Sequence, residues 1–312
     1  MPRRERAHGR NEQAAGDIPR RGSIAGKGAR VGREWKTALL FLAPSLAGVC
    51  GMFLLPTLDV VRRSFLSAMG NTFVGLENYK TVLQNESLRL AAANTVRFIL
   101  ICIPLLLLLS LGAALLIYRL RRLQNVFRTT YLLPLVVPVT SVVMIIQTVF
   151  HKNGLLSALC VLFGGTRTDW LNSEYAFFVM VACYVWKYFG YNVILWLAGL
   201  AAIPESYYEA ARVDGANETQ CFFAITLPQL KETLFITLVL ALINSFKVFR
   251  EAYLVAGRYP NNSIYMLQHV LSNWFSNLDM QKISAAAVLL MAIILAAVFL
   301  TQAVLEHKKE DV

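Results

Sequence analysis

Long apolar segments recur along almost the whole chain. Each is close to the roughly 20 residues that a helix needs to cross the hydrocarbon core of a bilayer. Continuous apolar runs, such as residues 103–111, exclude the alternating pattern of a transmembrane β-strand. Backbone groups in lipid must be paired within their own segment, so the segments are predicted to be helices. The predicted fold is an all-α, polytopic membrane bundle with six transmembrane helices. The six segments are residues 37–58, 98–118, 131–150, 175–200, 233–254 and 283–304.

The composition supports a membrane protein and changes how the charge is interpreted. Of the 312 residues, 56% are hydrophobic and only 16% are charged, whereas soluble domains have about 25% charged residues. The formal net charge of +11 is interpreted as marking the loops on one side of the membrane, and no nucleic-acid partner is expected. The five cysteines form no C-x-x-C pair and no histidine is spaced for a zinc motif, so no metal site is expected.

The basic residues also predict the orientation. Residues 1–34 are polar and basic without an apolar run, which predicts a disordered cytoplasmic tail. Most Lys and Arg lie in that tail, in the second-to-third and fourth-to-fifth connections, and at the C-terminus. With six spans all of these lie on one side, and basic loops face the cytoplasm. Both termini are therefore predicted to be cytoplasmic, with a transmembrane domain over residues 35–306 and a cytoplasmic tail over residues 307–312.

The connection between the fourth and fifth segments, residues 203–230, contains more structural signals than a linker needs; it is called the fourth connection below. Ser206 and Glu209 have the spacing of a capping box at the start of a short helix. Gly215 can end that helix in a left-handed conformation. A second short helix is predicted from about residue 217 to 225, and Pro228 is predicted to break the chain before the fifth segment. The expected product is a helix–turn–helix on the cytoplasmic face.

The fourth connection resembles the EAA loop of ABC importer permeases. The residues that match its consensus are Glu209, Ala210, Ala211, Gly215, Ile225, Leu227 and Pro228. Neighbouring residues 198–200 and 214–216 are similar to the carbohydrate-uptake branch, which contains maltose and glycerol-phosphate permeases. The resemblance covers roughly residues 35–305. It implies a multi-pass protein of the bacterial plasma (inner) membrane, in contact with membrane lipid, that forms half of a translocation pathway for a sugar or oligosaccharide.

The same resemblance implies which partners the chain has. They would be a second permease subunit in a heterodimer, two ATPase subunits and an extracytoplasmic solute-binding protein. The EAA loop would form a coupling helix that docks in a groove of an ATPase, where Glu209 would face a basic residue. The chain has no G-x-x-x-x-G-K-[ST] motif. It is therefore expected to be non-catalytic and to bind no cofactor, with ATP and Mg²⁺ held by the ATPase subunits.

Polar residues within the apolar segments are candidates for the substrate pathway, because charge inside a membrane is unfavourable and tends to be functional. Aromatic, amide and charged groups together would suit a sugar, which has apolar ring faces and a rim of hydroxyls. Asn244, Lys247 and Glu251 share one helix face, and the last two could pair at i, i+4. Alternatively, the charges of the fifth segment snorkel to the membrane surface, or Lys187 pairs with a neighbouring subunit. The candidates are Trp186, Lys187 and Asn192 in the fourth segment, Asn244, Lys247 and Glu251 in the fifth, and Gln147 in the third.

Residues 264–278 follow the fifth segment and have helical amphipathic spacing. This stretch is expected either to pack on its own bundle, to lie in the membrane interface, or to face the solute-binding protein. Two other functions fit the sequence of the whole chain less well. An ion-gradient-driven secondary transporter usually has two related halves and carboxylates near the midplane, and neither is evident. A membrane-embedded enzyme would need a catalytic constellation, and the four histidines all lie outside the apolar segments.

Overall fold

The structure of the protein, a computed structural model, describes residues 38, 40–67, 72–120 and 132–307, with side chains as far as residue 303. The chain divides into two compact units, Met1–Leu58 and Asp59–Val312. The predicted basic tail, residues 1–34, and all but the first residue of the predicted C-terminal tail lie outside the described residues. Within them, β pairing is limited to one bridge between Leu66 and Phe73, so the predicted all-α fold is confirmed.

Six helices of the described residues are long and apolar enough to cross a membrane, as predicted. They are called spans one to six: Leu40–Ser64, Glu86–Arg119, Val139–Leu162, Ala176–Ala201, Lys231–Ala256 and Met280–Ala303. Span one contains a π-helical turn at Cys50–Leu54. Span three consists of helices Val139–Phe150 and Leu155–Leu162, preceded by helical residues 132–136. The last helix continues to His307. The remaining helices are Glu77–Gln84, Glu205–Val213, Glu218–Cys221, Phe222–Thr226, Leu227–Gln229, Asn262–Ile264 and Leu267–Ser276.

Span two is longer than predicted, because its helix begins at Glu86 rather than near residue 98. The side chain of Asn85 caps it by accepting a hydrogen bond from the backbone N–H of Leu88, 3.0 Å away. The first three turns carry charged residues, which lower their mean hydropathy, so hydropathy alone did not predict them as part of the span. Their buried face, which includes Leu88 and Ala91, packs in a small core with the helix Leu267–Ser276.

Span five is not one continuous α-helix. An α-helix covers Lys231–Ser245, a 3₁₀ turn follows at Phe246–Val248, and a second α-helix covers Phe249–Ala256. A 3₁₀ turn within a helix often marks a functional hinge. The turn therefore divides span five into two parts, near the candidate pathway residues.

The main core lies between spans two, four and five. Tyr184 of span four packs edge-on against Phe98 of span two, with ring centroids 5.6 Å apart, and its hydroxyl donates to the carbonyl of Ala241 in span five at 2.7 Å. Nearer the other end, the indole N–H of Trp196 donates to the hydroxyl of Ser110 at 3.1 Å. Both polar groups are buried and paired, as groups removed from water must be. These contacts hold span four between spans two and five.

Candidate functional site

The fourth connection forms a helix–turn–helix, as predicted. The first helix, Glu205–Val213, has no buried residue. Gly215 follows it with φ of +82°, a left-handed conformation that glycine adopts without strain. The second part begins at Glu218 and continues through a π-helical turn at Phe222–Thr226. The predicted left-handed turn at Gly215 is therefore confirmed.

Two local details of the fourth connection differ from the predictions. The first helix begins at Glu205, with Pro204 at the N-cap and no side-chain cap, so the predicted capping box at Ser206 is wrong. The capping box lies at the second helix. There Asn217 Oδ1 accepts from the N–H of Gln220 at 2.9 Å, and Gln220 Oε1 accepts from the N–H of Asn217 at 2.8 Å.

Pro228 does not break the chain where predicted. It occupies the first turn of the short helix Leu227–Gln229, where its missing N–H leaves no bond unmade. The preceding π-helical turn keeps the helix continuous, because the N–H of Leu227 bonds to the carbonyl of Phe222. The helical run ends at Leu230, which is buried, and span five begins at the next residue.

The first helix of the fourth connection presents both a charge and apolar side chains to its surroundings. Glu209 and Ala210 are exposed and Ala211 is half-buried. On the same helix the side chains of Tyr207 and Val213 are 48% and 88% exposed. Of the three remaining matched residues, Ile225 packs partly against the main core, while Leu227 and Pro228 are exposed. A helix with exposed apolar side chains and an exposed carboxylate is suited to docking in a groove.

Glu218 links the fourth connection to span two. Its carboxylate lies 3.2 Å from the guanidinium of Arg119, the last residue of that helix, and 3.6 Å from the guanidinium of Arg212. All three side chains are mostly exposed, so each ion pair stabilises only slightly. The hydroxyls of Tyr208 and Thr226 lie 2.9 Å apart and add a second tie between the two helices. Sequence reasoning missed Arg119 and Glu218, because residues so far apart in sequence share no spacing pattern.

The candidate pathway residues fall into two groups by burial. Lys187, Asn192, Asn244 and Glu251 are buried. Lys187 of span four and Glu251 of span five form an ion pair with each other. Glu251 therefore pairs with Lys187 and not with Lys247, although the i, i+4 spacing had allowed the latter pair, and Lys187 has its partner within its own chain. Of the second group, Trp186 is 45% exposed, and Gln147 and Lys247 are also exposed.

Lys247 lies in the 3₁₀ turn of span five. Its ammonium group donates to Asn244 Oδ1 at 2.9 Å. The two side chains are thus neighbours, as their i, i+3 spacing predicted. Asn192, by contrast, uses its amide group to donate to the carbonyl of Tyr188 at 2.9 Å, within span four. The structure therefore brings Asn244 and Lys247 together at the turn and keeps Asn192 inside the bundle.

The helix Leu267–Ser276 between spans five and six is called the outer helix. Its Leu267, Val270 and Trp274 are buried against the neighbouring spans, so the expectation that it packs on its own bundle is confirmed. The exposed side chains at its end, Phe275 and Leu278, are 62% and 73% exposed. These two leave an apolar surface at one end of the helix.

Two polar side chains of span two hold the outer helix and the loop before it. Asn94 donates to the carbonyl of Tyr265 at 3.0 Å, and Thr95 Oγ1 accepts from the N–H of Leu267 at 3.1 Å. His269 is fully buried; its Nδ1 accepts from the N–H of Met266 at 3.2 Å. Burial lowers the pKa of His269 from 6.5 to about 4. The imidazole is therefore neutral at physiological pH.

The six spans and their core define a multi-pass α-helical membrane protein with a projecting helix–turn–helix between spans four and five. Residues 94–311 match the family described as the binding-protein-dependent transport system inner membrane component. The chain belongs to this family and is a permease subunit of a binding-protein-dependent ABC importer in the inner membrane.

Named relatives agree with this assignment. The chain is 32% identical over 235 residues to the arabinooligosaccharides transport system permease protein AraP of Bacillus subtilis, covering 72% of each chain. It is 30% identical over 270 residues to the trehalose/maltose transport system permease protein MalF of Thermococcus litoralis, covering 85% of this chain and 92% of the relative. The fold is similar to a chain of a bacterial ABC transporter that imports the acidic polysaccharide alginate. There the TM-score is 0.73 at 19% identity, over 90% of this chain and 99% of that one.

Proposed function

We propose that this permease forms one half of the translocation pathway for a sugar or oligosaccharide. Its partners would be a second permease subunit in a heterodimer, two ATPase subunits and an extracytoplasmic solute-binding protein. The chain itself would be non-catalytic and would bind no cofactor, since ATP and Mg²⁺ would be held by the ATPase subunits. Both of its termini would be cytoplasmic, so that the fourth connection faces the ATPases.

The observation that carries this proposal is the projecting helix Glu205–Val213. None of its residues is buried; Glu209 is exposed, and Tyr207 and Val213 are exposed apolar side chains of the same helix. Exposed apolar side chains on a short helix favour a partner surface over water. The ties from Glu218 to Arg119 and from Tyr208 to Thr226 connect this helix to the bundle. Movement of a docked ATPase would thereby reach span two as well as the ends of spans four and five.

The substrate class rests on the relatives and on the exposed pathway residues. Arabinooligosaccharides, trehalose or maltose, and alginate appear in the names of the relatives above. In this chain Trp186 and Lys247 are exposed and Lys247 is bonded to Asn244. Aromatic, amide and ammonium groups together suit a ligand with apolar faces and a rim of hydroxyls. We propose Trp186, Lys247 and Gln147 as substrate contacts, together with Asn244, which is buried but bonded to the exposed Lys247. Lys187 and Glu251 are instead paired with each other. Asn192 is bonded within span four.

Co-purification tests the coupling role. The tagged chain is expressed with its second permease and the ATPase encoded beside it, and retained ATPase is quantified. The variant Glu209→Lys places a cation where a basic groove residue is expected. Like charges at an interface cost several kcal/mol, so retention should fall by at least about tenfold.

The matched control is Glu174→Lys, which makes the same charge change at an exposed site between spans three and four. This variant should retain the ATPase as the wild type does, because it would lie on the opposite side of the membrane. If wild type and Glu174→Lys retain no ATPase although the bundle is folded, the proposed coupling role is refuted.

The substrate class is tested separately with the reconstituted complex and its binding protein in proteoliposomes. ATP hydrolysis is measured with maltotriose, arabinotriose and an alginate trisaccharide, and with a tripeptide as the control. Stimulation by at least one oligosaccharide is expected. Stimulation by the tripeptide alone would overturn the assignment of a carbohydrate substrate.

A further inference from the structure

Two opposite charges are buried together between spans four and five. The ammonium of Lys187 contacts Glu251 Oε1, and the two residues are 7% and 1% exposed. Lys187 also lies over the ring of Tyr188, with its nitrogen 5.7 Å from the centroid. The second carboxylate oxygen, Glu251 Oε2, is buried and has no hydrogen-bond partner among the described residues. The pair is therefore fully removed from water, and the carboxylate depends on Lys187 for its charge compensation.

Glu251 lies directly after the interruption of span five. The 3₁₀ turn Phe246–Val248 ends three residues before Glu251, which lies in the first turn of the next helix. Val248 and Ala252, on either side of Glu251, are buried in the main core at 1% and 0% exposure. The short helix Phe249–Ala256 thus has an apolar contact surface with one charge in it, and that charge has a partner in span four. An ion pair fixes both the depth and the rotation of the helix, which apolar packing alone fixes less strictly.

The 3₁₀ turn contains Lys247, one of the exposed candidate pathway residues. Lys247 is in the turn and donates to Asn244 at the end of the preceding helix. The direction of these two side chains depends on the angle at which the two parts of span five meet. Phe249–Ala256 packs mainly on the helix Val139–Phe150 of span three. The Lys187–Glu251 pair ties it to span four and so helps to set that angle.

We propose that Lys187 and Glu251 are positioning residues, whose buried ion pair holds the outer part of span five on span four and so orients Asn244 and Lys247 towards the substrate. This inference rests on the proposed function, in which those two residues line the pathway. It reassigns the two charges from substrate contact to orientation of the contacts. It also sets an order among variants: removing one charge leaves the other buried and uncompensated, so a single change should disturb the turn more than loss of both charges.

The test measures the accessibility of the turn, without any substrate. Lys247→Cys is introduced as a reporter in the assembled transporter in membrane vesicles, and its rate of reaction with a small water-soluble maleimide is measured. Cys50 and Cys160 are replaced by serine because they are not buried and would react with the maleimide, whereas the other three native cysteines are buried. Glu251→Gln and Lys187→Met should each change the reporter rate by at least about tenfold, equivalent to ~1.4 kcal/mol.

The double variant Lys187→Met/Glu251→Leu contains no unpaired charge, so its reporter rate should return to within about threefold of the original, as a coupled pair requires. Two controls separate positioning from general loss of stability. A distant reporter, Phe275→Cys on the outer helix, should react at an unchanged rate in all pair variants. Asp279→Asn, which removes the half-exposed Asp279–Lys282 pair at the start of span six, should leave the Lys247→Cys rate unchanged.

An unchanged Lys247→Cys rate in both single variants would overturn the inference, as would a double variant as disturbed as the two singles together. If the single variants do not fold, Glu251→Asp and Lys187→Arg take their place. They keep the charges but alter the reach, so they should shift the reporter rate, and no shift would refute positioning. ATPase retention is scored in parallel. If the wild-type permease retains no ATPase, the proposed function is refuted. If the ATPase is retained but the reaction rate of Lys247→Cys is unchanged in the pair variants, only the positioning role is refuted.

Discussion

Gly199, near the end of span four, allows a close approach to Thr233 of span five. A Cβ atom at this position would lie 2.3 Å from Thr233 Oγ1 and 2.9 Å from both Thr233 Cβ and Cγ2. Threonine is β-branched and stiff at χ1, so its side chain cannot turn all three atoms away. The substitution Gly199→Ala should therefore push the two spans apart where they enter the fourth connection.

The magnitude follows from two opposing effects. Overpacking a tight contact costs about 1–3 kcal/mol. Alanine in place of glycine within a helix returns roughly 0.5–1 kcal/mol, because the unfolded chain loses less entropy on folding. The expected net loss for Gly199→Ala is about 1–2 kcal/mol. Gly112 in span two provides the matched control, since a Cβ there would meet no atom within 4 Å. Gly112→Ala should be neutral or stabilising.

Thermal unfolding measures this difference. A maleimide dye that fluoresces on reaction reports the exposure of Cys102, Cys183 and Cys221, which are buried in the folded protein. A loss of 1 kcal/mol lowers the Tm of a soluble domain of 150–250 residues by about 2–4 °C, so Gly199→Ala should melt several degrees below Gly112→Ala.

Thr233→Gly removes all three clashing atoms and serves as the second-site test. The double variant Gly199→Ala/Thr233→Gly should melt above the variant Thr233→Gly, because alanine then enters an open site. If Gly199→Ala melts at or above the control Gly112→Ala, the close approach of the two spans is not a feature of the protein. If the Tm of the double variant is not above that of Thr233→Gly, the clash does not involve Thr233.

Two further predictions concern sites outside the spans. The pKa of His269 is lower in the folded protein than its ordinary value of 6.5, at about 4. The unfolded chain therefore takes up the proton first as the pH falls, so the stabilisation is complete above pH 6.5 and up to about 3 kcal/mol is lost between pH 6.5 and 4. Thermal melts from pH 7.5 to 4.5 should show this decline in the Tm of the wild type, and the Tm of His269→Gln should fall less over the same range. An equal fall in Tm for both proteins would contradict the burial argument. Gly215 has φ of +82° with open space around it, so Gly215→Val should cost about 1–2 kcal/mol from backbone strain alone. Gly215→Asn should cost less stability, because asparagine adopts the left-handed conformation more readily than valine. ATPase retention should therefore fall less in Gly215→Asn than in Gly215→Val. An equal fall in both variants would indicate a steric cause instead of backbone strain.

The number of spans was predictable from the sequence, whereas their ends were less so. Apolar runs of about 20 residues reflect the thickness of the bilayer, and six such runs gave six spans. The start of span two was missed because residues 86–97 include Glu86, Arg89 and Arg97, which hydropathy counts against a span. These turns are stabilised by packing on the outer helix, and such a contact between distant segments leaves no signal in local hydropathy.

In the fourth connection, the element types were predicted more accurately than their ends. The left-handed turn at Gly215 was predicted because glycine has a conformational freedom that other residues lack. The capping box was misplaced because Ser206 and Glu209 fit its spacing, but Pro204 starts the helix one residue earlier. Pro228 was read as a break, although proline in the first turn of a helix leaves no bond unmade. In both cases the local sequence rule allows two structures, and the sequence alone does not decide between them.

The partner of Glu251 shows most clearly what a sequence pattern leaves undetermined. Spacing within a continuous helix placed Lys247 on the same face, one turn away. The 3₁₀ turn at Phe246–Val248 advances about 120° per residue instead of 100°, which adds roughly 40° over the two steps from Lys247 to Phe249. Glu251 is thereby rotated off the face of Lys247 and meets Lys187, which lies in another span. Hydropathy predicts that a helix crosses the membrane, but the rotation of the helix decides whether its charges face a pathway or one another. Because a buried carboxylate needs a partner, the rotation of Phe249–Ala256 and the identity of residue 187 constrain each other. A permease of this family with an apolar residue at position 251 should therefore also tolerate an apolar residue at position 187.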